Sequence, residues 1–200
     1  MDNKALYSLS YGLFVLSARD GDKDNGCIIN TAQQVAGNPL LMSVAVNKAN
    51  YTAEIIAKTG RFNLSVLDES APFSLFQCFG FRSGRDCDKF ADIDFARSPN
   101  GLCYLPQHTA AYMSCKVVNT VDLGSHTMFI ATVPEAECLS SLAPMTYAYY
   151  HANVKNAPAP AKKTGWVCKI CGYVYEGETL PADFVCPVCK HPAADFEKLG

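Results

Sequence analysis

Charged residues are scarce in this 200-residue chain, and neither sign prevails. Its 17 Lys and Arg residues stand against 19 Asp and Glu residues, which gives a formal net charge of -2 at pH 7. No run of Lys and Arg is long enough to form a surface that follows a phosphate backbone. The composition gives no support for a nucleic-acid partner, and we expect none.

Long apolar runs are also missing, since none approaches the ~18 residues that a membrane-spanning helix requires. The first residues, Met1–Ala5, are not a basic segment followed by an apolar core, which is the pattern of a secretory leader. We therefore expect no membrane association and a cytoplasmic location. Neither a Gly-x-Gly-x-x-Gly nor a Walker signature occurs.

Apolar residues and cysteine, by contrast, are plentiful. Hydrophobic residues make up 49% of the chain, which is enough to form a buried core. Six of the ten cysteines are scattered through apolar segments, and we interpret them as reduced thiols of a reducing compartment. They are Cys27, Cys78, Cys87, Cys103, Cys115 and Cys138. The other four are paired in the sequence and indicate a metal site.

A stretch rich in Ala and Pro divides the chain into two unequal parts. The Ala and Pro residues of 155–163 favour an extended, semi-rigid linker and remove the N–H donors that helices and strands need. We predict an N-terminal domain at 1–153, a linker at 154–164 and a small metal-binding domain at 165–200.

Short apolar runs bounded by turn formers dominate the first part and favour strands. We predict strands at 11–18, 27–35, 40–46, 61–67, 112–121 and 126–138. One helix is predicted at 52–59, with Asn50 or Thr52 as its N-cap and Gly60 at its end. A second is predicted at 70–79, with its first residue, a serine, as N-cap. This pattern predicts a mainly β domain, a barrel or sandwich.

Two Cys-x2-Cys pairs separated by fourteen residues mark the C-terminal part. Each pair can place two thiolates on one turn, and two facing turns complete a tetrahedral sulfur site. The four predicted ligands are Cys168, Cys171, Cys186 and Cys189. Judged by residue type alone, four thiolates suit zinc as well as iron.

The residues around these cysteines resemble the two chelating loops of rubredoxins, at 171–173 and 186–189. Residues matching the rubredoxin aromatic cluster are Trp166, Tyr173, Tyr175, Phe184 and Phe196. The resemblance implies a rubredoxin-like domain with one iron, whose potential is tuned by N–H groups directed at the sulfurs. Two features differ from free-standing rubredoxins. The stretch between the pairs is short, as in rubrerythrins, and Lys190 replaces the usual glycine.

Several segments of the first part resemble the flavin reductase family, a similarity that spans most of residues 5–150. The segments are 26–35, 38–46, Asn47-Lys-Ala-Asn-Tyr-Thr52, 84–90 and 124–133. The resemblance implies a split β-barrel with short helices that binds FMN and forms a homodimer.

The resemblance also implies which residues contact FMN. The loop at 47–52 combines amides, hydroxyls, one cation and a helix N-terminus, which suits a phosphate. A later loop would add a second cationic wall, and polar residues at 30–34 would bind the edge of the isoalloxazine ring. The predicted contacts are Asn30, Thr31, Gln34, Asn47, Lys48, Asn50, Tyr51, Thr52, Ser83, Arg85 and Lys89. By residue type alone they are also ordinary polar loop and strand residues.

His126 follows a tight turn, where related flavin reductases have a histidine near the flavin and the nicotinamide. The resemblance makes it a candidate catalytic residue, and an exposed turn histidine is the other interpretation. Tyr147, Tyr149 and Tyr150 form an aromatic group that indicates packing, a dimer surface or a cover over the flavin.

Together the two parts imply an electron-transfer enzyme. A flavin accepts a hydride from NAD(P)H and releases its electrons singly, whereas iron in a four-thiolate site accepts one electron at a time. The arrangement is similar to the high-molecular-weight rubredoxins of anaerobic bacteria, which implies a flavodiiron protein as the external acceptor. Two alternatives stay open at this point: a flavin reductase with a structural zinc module, and a non-enzymatic redox or flavin sensor.

Overall fold

The structure, a computed structural model, describes residues 8–155 and 165–199. The strands are β1 (Phe14–Asp20), β2 (Lys23–Ile29), β3 (Gln33–Gly37), β4 (Leu40–Asn47), β5 (Arg61–Leu67), β6 (Ala96–Arg97), β7 (Cys103–Tyr104), β8 (Thr109–Asp122), β9 (His126–Cys138), β10 (Gly165–Cys168), β11 (Val174–Tyr175) and β12 (Phe196–Leu199). The helices are α1 (Tyr51–Thr59), α2 (Phe73–Phe81) and α3 (Tyr147–Tyr149). A π-helical turn (Tyr150–Val154) continues α3, and a 3-10 turn (Ala193–Asp195) precedes β12.

A seven-stranded antiparallel sheet in the order β2-β1-β5-β8-β9-β4-β3 forms the body of the first range. Its two long strands use different neighbours along their length, because residues 109–116 of β8 pair with β5 while residues 126–132 of β9 pair with β4. Two register shifts bend the β8–β9 pair. The predicted fold class, a mainly β split barrel with short helices, is confirmed.

Helix α1 begins one residue before its predicted start and ends at the predicted residue, because its end signals are local. Asn50 is extended and its Oδ1 accepts from the backbone N of Thr52 at 3.0 Å, so Asn50 is the N-cap. Gly60 ends the helix in the left-handed conformation, with φ 67°, and its N–H donates to the carbonyl of Ile56.

Helix α2 begins three residues later than predicted. Pro72 precedes its first residue, and no side chain caps it. The hydroxyl of Ser70 instead donates to Oδ1 of Asp68 at 2.6 Å, and Asp68 is only 2% exposed. The prediction of Ser70 as N-cap is therefore wrong, since this buried carboxylate engages the hydroxyl.

The single strand predicted at 27–35 is two strands, β2 and β3, with a break at 30–32. β2 pairs with β1 and β3 pairs with β4, at opposite ends of the strand order. Thr31 holds this crossing to β4, because its Oγ1 donates to the carbonyl of Ala45 at 2.6 Å and accepts from the N of Ala45 at 3.2 Å. The break lets the chain pass from one end of the sheet to the other.

Two apolar clusters pack against the sheet. The first includes Leu16 and Phe62 of the sheet and Ile56 of α1, all 0% exposed. The second joins α2 to the sheet and to the turn that follows α3, through Phe79 and Tyr150. The two helices are thereby fixed against the strands that carry the candidate site.

The six scattered cysteines are free thiols. Cys27, Cys103 and Cys115 are buried, and Cys138 is exposed. Burial raises the pKa of the Cys27 thiol and raises the pKa of Cys115 to about 12. The nucleophilic thiolate is therefore disfavoured at these buried positions.

The second described range is a three-stranded antiparallel sheet in the order β11-β10-β12. Of the predicted linker, residues 156–164 lie outside the described residues, so the domain boundaries stay a prediction. Within the described ranges, none of the helices has the length and apolar character needed to cross a membrane.

Candidate functional site

Four thiols meet between two turns of the second range. Their Sγ atoms all lie within 4.8 Å of one another. The Sγ atoms of Cys168 and Cys189 are 3.6 Å apart, and those of Cys171 and Cys186 are 3.5 Å apart. Tetrahedral coordination of an ion by four sulfurs, with metal–sulfur bonds of ~2.3 Å, needs sulfur–sulfur separations of about 3.8 Å. The four predicted ligands therefore lie together in the geometry of a tetrathiolate site.

The two chelating turns share one backbone shape. The N of Gly172 donates to the carbonyl of Cys168 at 2.8 Å, and the N of Lys190 donates to the carbonyl of Cys186 at 2.9 Å. Gly172 has φ 77° and Lys190 has φ 63°, both in the left-handed region. Lys190 thus adopts the conformation that glycine has in the first turn, at a cost of ~1–2 kcal/mol.

Backbone N–H groups also point at the sulfurs, as the rubredoxin resemblance implies. Burial acts to raise the pKa of these thiols, and backbone N–H groups act to lower it: the N–H of Tyr173 acts on Cys171, those of Cys189 and Val188 act on Cys186, and that of His191 acts on Cys189. Such bonds favour the charged thiolate and tune the potential of a bound metal.

The predicted aromatic residues pack beside the thiols. The ring of Phe184 lies 5.3 Å from that of Phe196 and 4.7 Å from that of Tyr175, measured between centroids. Three of the four thiols are at most 1% exposed. Burial raises the pKa of the Cys171 thiol, so a cation is required to hold the group as four thiolates. The donor set fits iron and zinc alike.

The β4–α1 loop brings predicted flavin contacts together at the N-terminus of α1. They are Asn47, Lys48, Asn50, Tyr51 and Thr52. Oδ1 of Asn47 accepts a hydrogen bond from the backbone N of Ala49 at 2.9 Å, and this bond closes a turn within the loop. Nζ of Lys48 lies 2.6 Å from Oδ1 of Asp122. A helix N-terminus with amides and a nearby cation suits an anionic group.

Arg85 reaches the same helix end from the loop after α2, where its N donates to Oγ of Ser83 at 3.2 Å. Its guanidinium pairs with the carboxylate of Glu54 and lies 4.8 Å from the ring centre of Tyr51. The guanidinium lowers the pKa of Glu54. Both partners are exposed, and an exposed ion pair contributes little to stability. An anionic ligand could therefore displace Glu54 from Arg85.

Lys89 lies in the interior instead. It is 4% exposed, and its Nζ donates to the carbonyls of Gly26 at 2.9 Å and Phe79 at 3.1 Å. Burial lowers the pKa of Lys89. The structure thus uses this ammonium to join β2 to α2, and does not bring it into the exposed group that contains Arg85.

Asn25 and Gly84, which were not among the predicted contacts, also shape this site. Asn25 is 1% exposed, and its Nδ2 donates to Oγ1 of Thr52 at 2.9 Å. Its Oδ1 has no hydrogen-bond partner in the described part of the chain. A Cβ at Gly84 would stand 1.8 Å from that oxygen. The run 19–26 is dense in turn formers, so the sequence carried no signal that Asn25 is buried in a strand.

The remaining predicted residues lie around the β2–β3 break and at the start of β9. Asn30 and Thr31 are in the break, and Thr31 is bonded to Ala45 on the strand that leads into the β4–α1 loop. Gln34 is exposed on β3. His126 is paired with Asn47 in the β4–β9 register, and its Nδ1 lies 2.9 Å from Oγ of Ser125. The structure therefore brings His126, but not Gln34, to the loop.

Two tyrosines after β9, Tyr147 and Tyr150, differ in how far their side chains are exposed to solvent. Tyr150 is 7% exposed, and its ring centre lies 4.4 Å from that of Phe76. Burial raises the pKa of Tyr150 to about 12. Tyr147 is 38% exposed and lies 4.5 Å from the ring of His151. Packing therefore accounts for Tyr150, while Tyr147 presents its ring to solvent.

The chemistry of these residues fits a flavin mononucleotide. A phosphate would take the N-terminus of α1 with Lys48 and Arg85, and a hydroxyl donor of the ligand would satisfy the buried Oδ1 of Asn25. The polar residues at the β2–β3 break would face the ring. The individual contacts stay predictions.

Comparison with known proteins identifies a family for each part of the chain. Residues 6–158 match the family described as flavin reductase like domain, and residues 166–197 match the one described as rubrerythrin, rubredoxin-like domain. The chain is 40% identical to the high molecular weight rubredoxin of Moorella thermoacetica over 100% of both chains. It is 33% identical to the ferric-chelate reductase (NAD(P)H) of Archaeoglobus fulgidus, over 82% of this chain and 96% of that one.

A solved structure shows the same barrel. The styrene monooxygenase flavin reductase of Pseudomonas putida S12 matches with a TM-score of 0.62 and 26% identity, covering 72% of this chain and 89% of that one. Both resemblances predicted from the sequence are confirmed. The chain therefore belongs to the flavin reductase family and carries a rubredoxin-like domain after its barrel.

Proposed function

We propose that the protein takes a hydride from NAD(P)H onto FMN and passes single electrons, through an iron ion held by four cysteines, to an external acceptor. One observation carries this proposal: a chain of the flavin reductase family places four thiols 3.5 and 3.6 Å apart in facing pairs. A flavin and a one-electron metal centre on one chain convert hydride transfer into single-electron transfer.

The residues of the barrel hold and orient the flavin. FMN, when bound, supplies the exchange between a hydride and single electrons. The N-terminus of α1, Lys48 and Arg85 bind its phosphate, and Asn25 accepts a hydrogen bond from one of its hydroxyls. His126 lies beside the β4–α1 loop, and the family resemblance places it near the nicotinamide. The barrel residues thus serve binding and orientation, and the hydride chemistry belongs to the cofactor.

The acceptor we propose is a flavodiiron protein, on the strength of the resemblance to high-molecular-weight rubredoxins. The ferric-chelate reductase relative supports a second acceptor class, a chelated ferric ion, which the flavin could reduce directly. The free thiols of the described residues favour a reducing compartment, and we place the protein in the cytoplasm.

We also propose that the barrel forms a homodimer. Exposed apolar side chains lie on the β8–β9 hairpin and on β3–β4. They are Val35, Leu40, Val118, Val121 and Leu123. Exposed apolar side chains on neighbouring strands favour an interaction surface, and a second copy would cover them.

Metal analysis followed by an anaerobic NADH titration tests the proposed function. We expect one iron and one FMN per chain, and both the flavin and the ferric-thiolate absorption should bleach when NADH or NADPH is added. One zinc per chain and no iron, in protein made with ample iron, would establish the flavin reductase with a structural zinc module. Iron and flavin that neither pyridine nucleotide reduces would show a carrier that another protein reduces.

A further inference from the structure

Apolar contacts join the first chelating turn to α2. Phe81, the last residue of α2, packs against the cluster that contains Cys168 and Cys171. Ile170 and Phe81 line one cavity of about 260 Å³. A Cβ at Gly172 would stand 3.5 Å from the ring of Phe73. The turn that carries two of the four thiols therefore lies against the barrel domain.

The turn also approaches the strand that leads to the predicted flavin contacts. Ile28 of β2 lines the same cavity as Ile170. A Cβ at Gly80, in the last turn of α2, would stand 3.5 Å from Cγ1 of Ile28, so α2 and β2 are closely packed here. Asn30, a predicted contact of the isoalloxazine ring, follows Ile28 by two residues. The packing thus connects the end of β2, which precedes Asn30, to Ile170, the residue before Cys171.

We propose that this contact is the path by which electrons leave the flavin for the iron, with Ile170 and Phe81 as positioning residues. The inference rests on the proposed function. One NAD(P)H and two ferric sites give NAD(P)⁺, two ferrous sites and one proton released to solvent. Ile170 and Phe81 form no bonds in this reaction, and they hold the turn against β2 so that transfer occurs within a fixed contact.

The test compares two variants of the full chain, Ile170→Glu and Val185→Glu. Ile170 precedes Cys171 and Val185 precedes Cys186, so each variant places the same charge next to one metal ligand. Val185 is 52% exposed, whereas Ile170 lines the cavity with Phe81 and Ile28. The cavity lining is apolar apart from the tyrosine hydroxyls, His151 and Lys155. A glutamate at residue 170 would leave Phe81 and Ile28 for these polar groups or for solvent, so it should separate the turn from α2.

Stopped-flow absorption separates the two electron steps. Both variants should reduce their flavin with NADH at the wild-type rate. The first-order bleaching of the ferric band that follows should slow by about tenfold or more in Ile170→Glu and by less than about twofold in Val185→Glu. Equal slowing in the two variants would overturn the inference, and so would a wild-type rate that rises in proportion to protein concentration.

Two further measurements do not depend on turnover. The reduction potential of the iron should shift equally in both variants. An equal shift would mean that iron reduction slows in Ile170→Glu because the chelating turn has moved away from α2, and not because the driving force has changed. Hydrogen exchange in zinc-loaded protein should increase at residues 73–81 in Ile170→Glu only, and unchanged exchange there would contradict docking. A wild-type chain that reduces its flavin but never its iron would contradict the proposed function itself, whatever the exchange data show.

Discussion

The metal site and the flavin site of this chain are built in opposite ways. The four thiols come from residues 168–189, on two turns that repeat one hydrogen-bond pattern. The candidate flavin site combines β2, the β2–β3 break, the β4–α1 loop, the loop after α2 and the start of β9. The metal site is local and depends on the spacing of four cysteines, whereas the flavin site is composite and depends on contacts throughout the barrel. A substitution in the metal site should therefore affect only the metal module, whereas a substitution in the barrel should affect both stability and FMN binding.

The largest effect is expected from Cys171→Ser. Cys171 is 0% exposed and pairs with Cys186 across the site. Because a structural metal contributes on the order of 10 kcal/mol to a small module, the variant should lose its iron and unfold residues 165–199. Metal content, ferric-thiolate absorption and hydrogen exchange measure this.

The flavin content of Cys171→Ser should equal that of the wild type, because the barrel has its own core. Cys138→Ser is the matched control, since Cys138 is an exposed thiol outside the metal site. It should keep both cofactors. A parallel loss of FMN in Cys171→Ser would show that the two sites are not independent.

Gly84→Ala should damage the composite site through the fold. The new Cβ would stand 1.8 Å from Oδ1 of Asn25, and that side chain is bonded to Thr52 at the N-terminus of α1. Overpacking of this kind costs ~1–3 kcal/mol, so the unfolding free energy in urea should fall and FMN should bind more weakly. Gly37→Ala, which meets no atom within 4 Å, should leave both quantities unchanged.

Lys89→Met and Arg85→Met should separate folding from binding. Lys89→Met removes the donor to the carbonyls of Gly26 and Phe79 in the interior, which should lower the unfolding free energy by ~1–3 kcal/mol. Arg85→Met should leave stability unchanged, weaken FMN binding and reduce its salt dependence, because it removes an exposed cation.

Urea unfolding of the flavin-free protein and FMN titrations at two ionic strengths measure these effects. If Lys89→Met left stability intact but abolished FMN binding, Lys89 would be a direct ligand, as the sequence analysis predicted. That result would also contradict the interior position of its ammonium.

The contrast between local and composite sites also explains which features could be predicted from the sequence. The four thiols lie together as their spacing predicted, and α1 differs from its predicted bounds by one residue, because spacing and capping act within a few residues, as with Asn50 and Gly60. The start of α2 was missed because a buried carboxylate outside the helix, Asp68, engages Ser70. The burial of Asn25 and Lys89 depends on contacts among β2, α1 and α2, which only the assembled fold brings together.

The smallest expected effect concerns the symmetry of the metal turns. Lys190 has φ 63° where the first turn has glycine, so Lys190→Gly should relieve strain. Glycine also gives the unfolded chain more freedom, and the net gain should be about 0.5–1 kcal/mol in the stability of the module. Thermal loss of the ferric-thiolate band measures it, and Gly172→Ala should shift the same transition downward. An unchanged transition in Lys190→Gly would mean that contacts of the lysine side chain offset the strain, so that even the local site depends on more than its spacing.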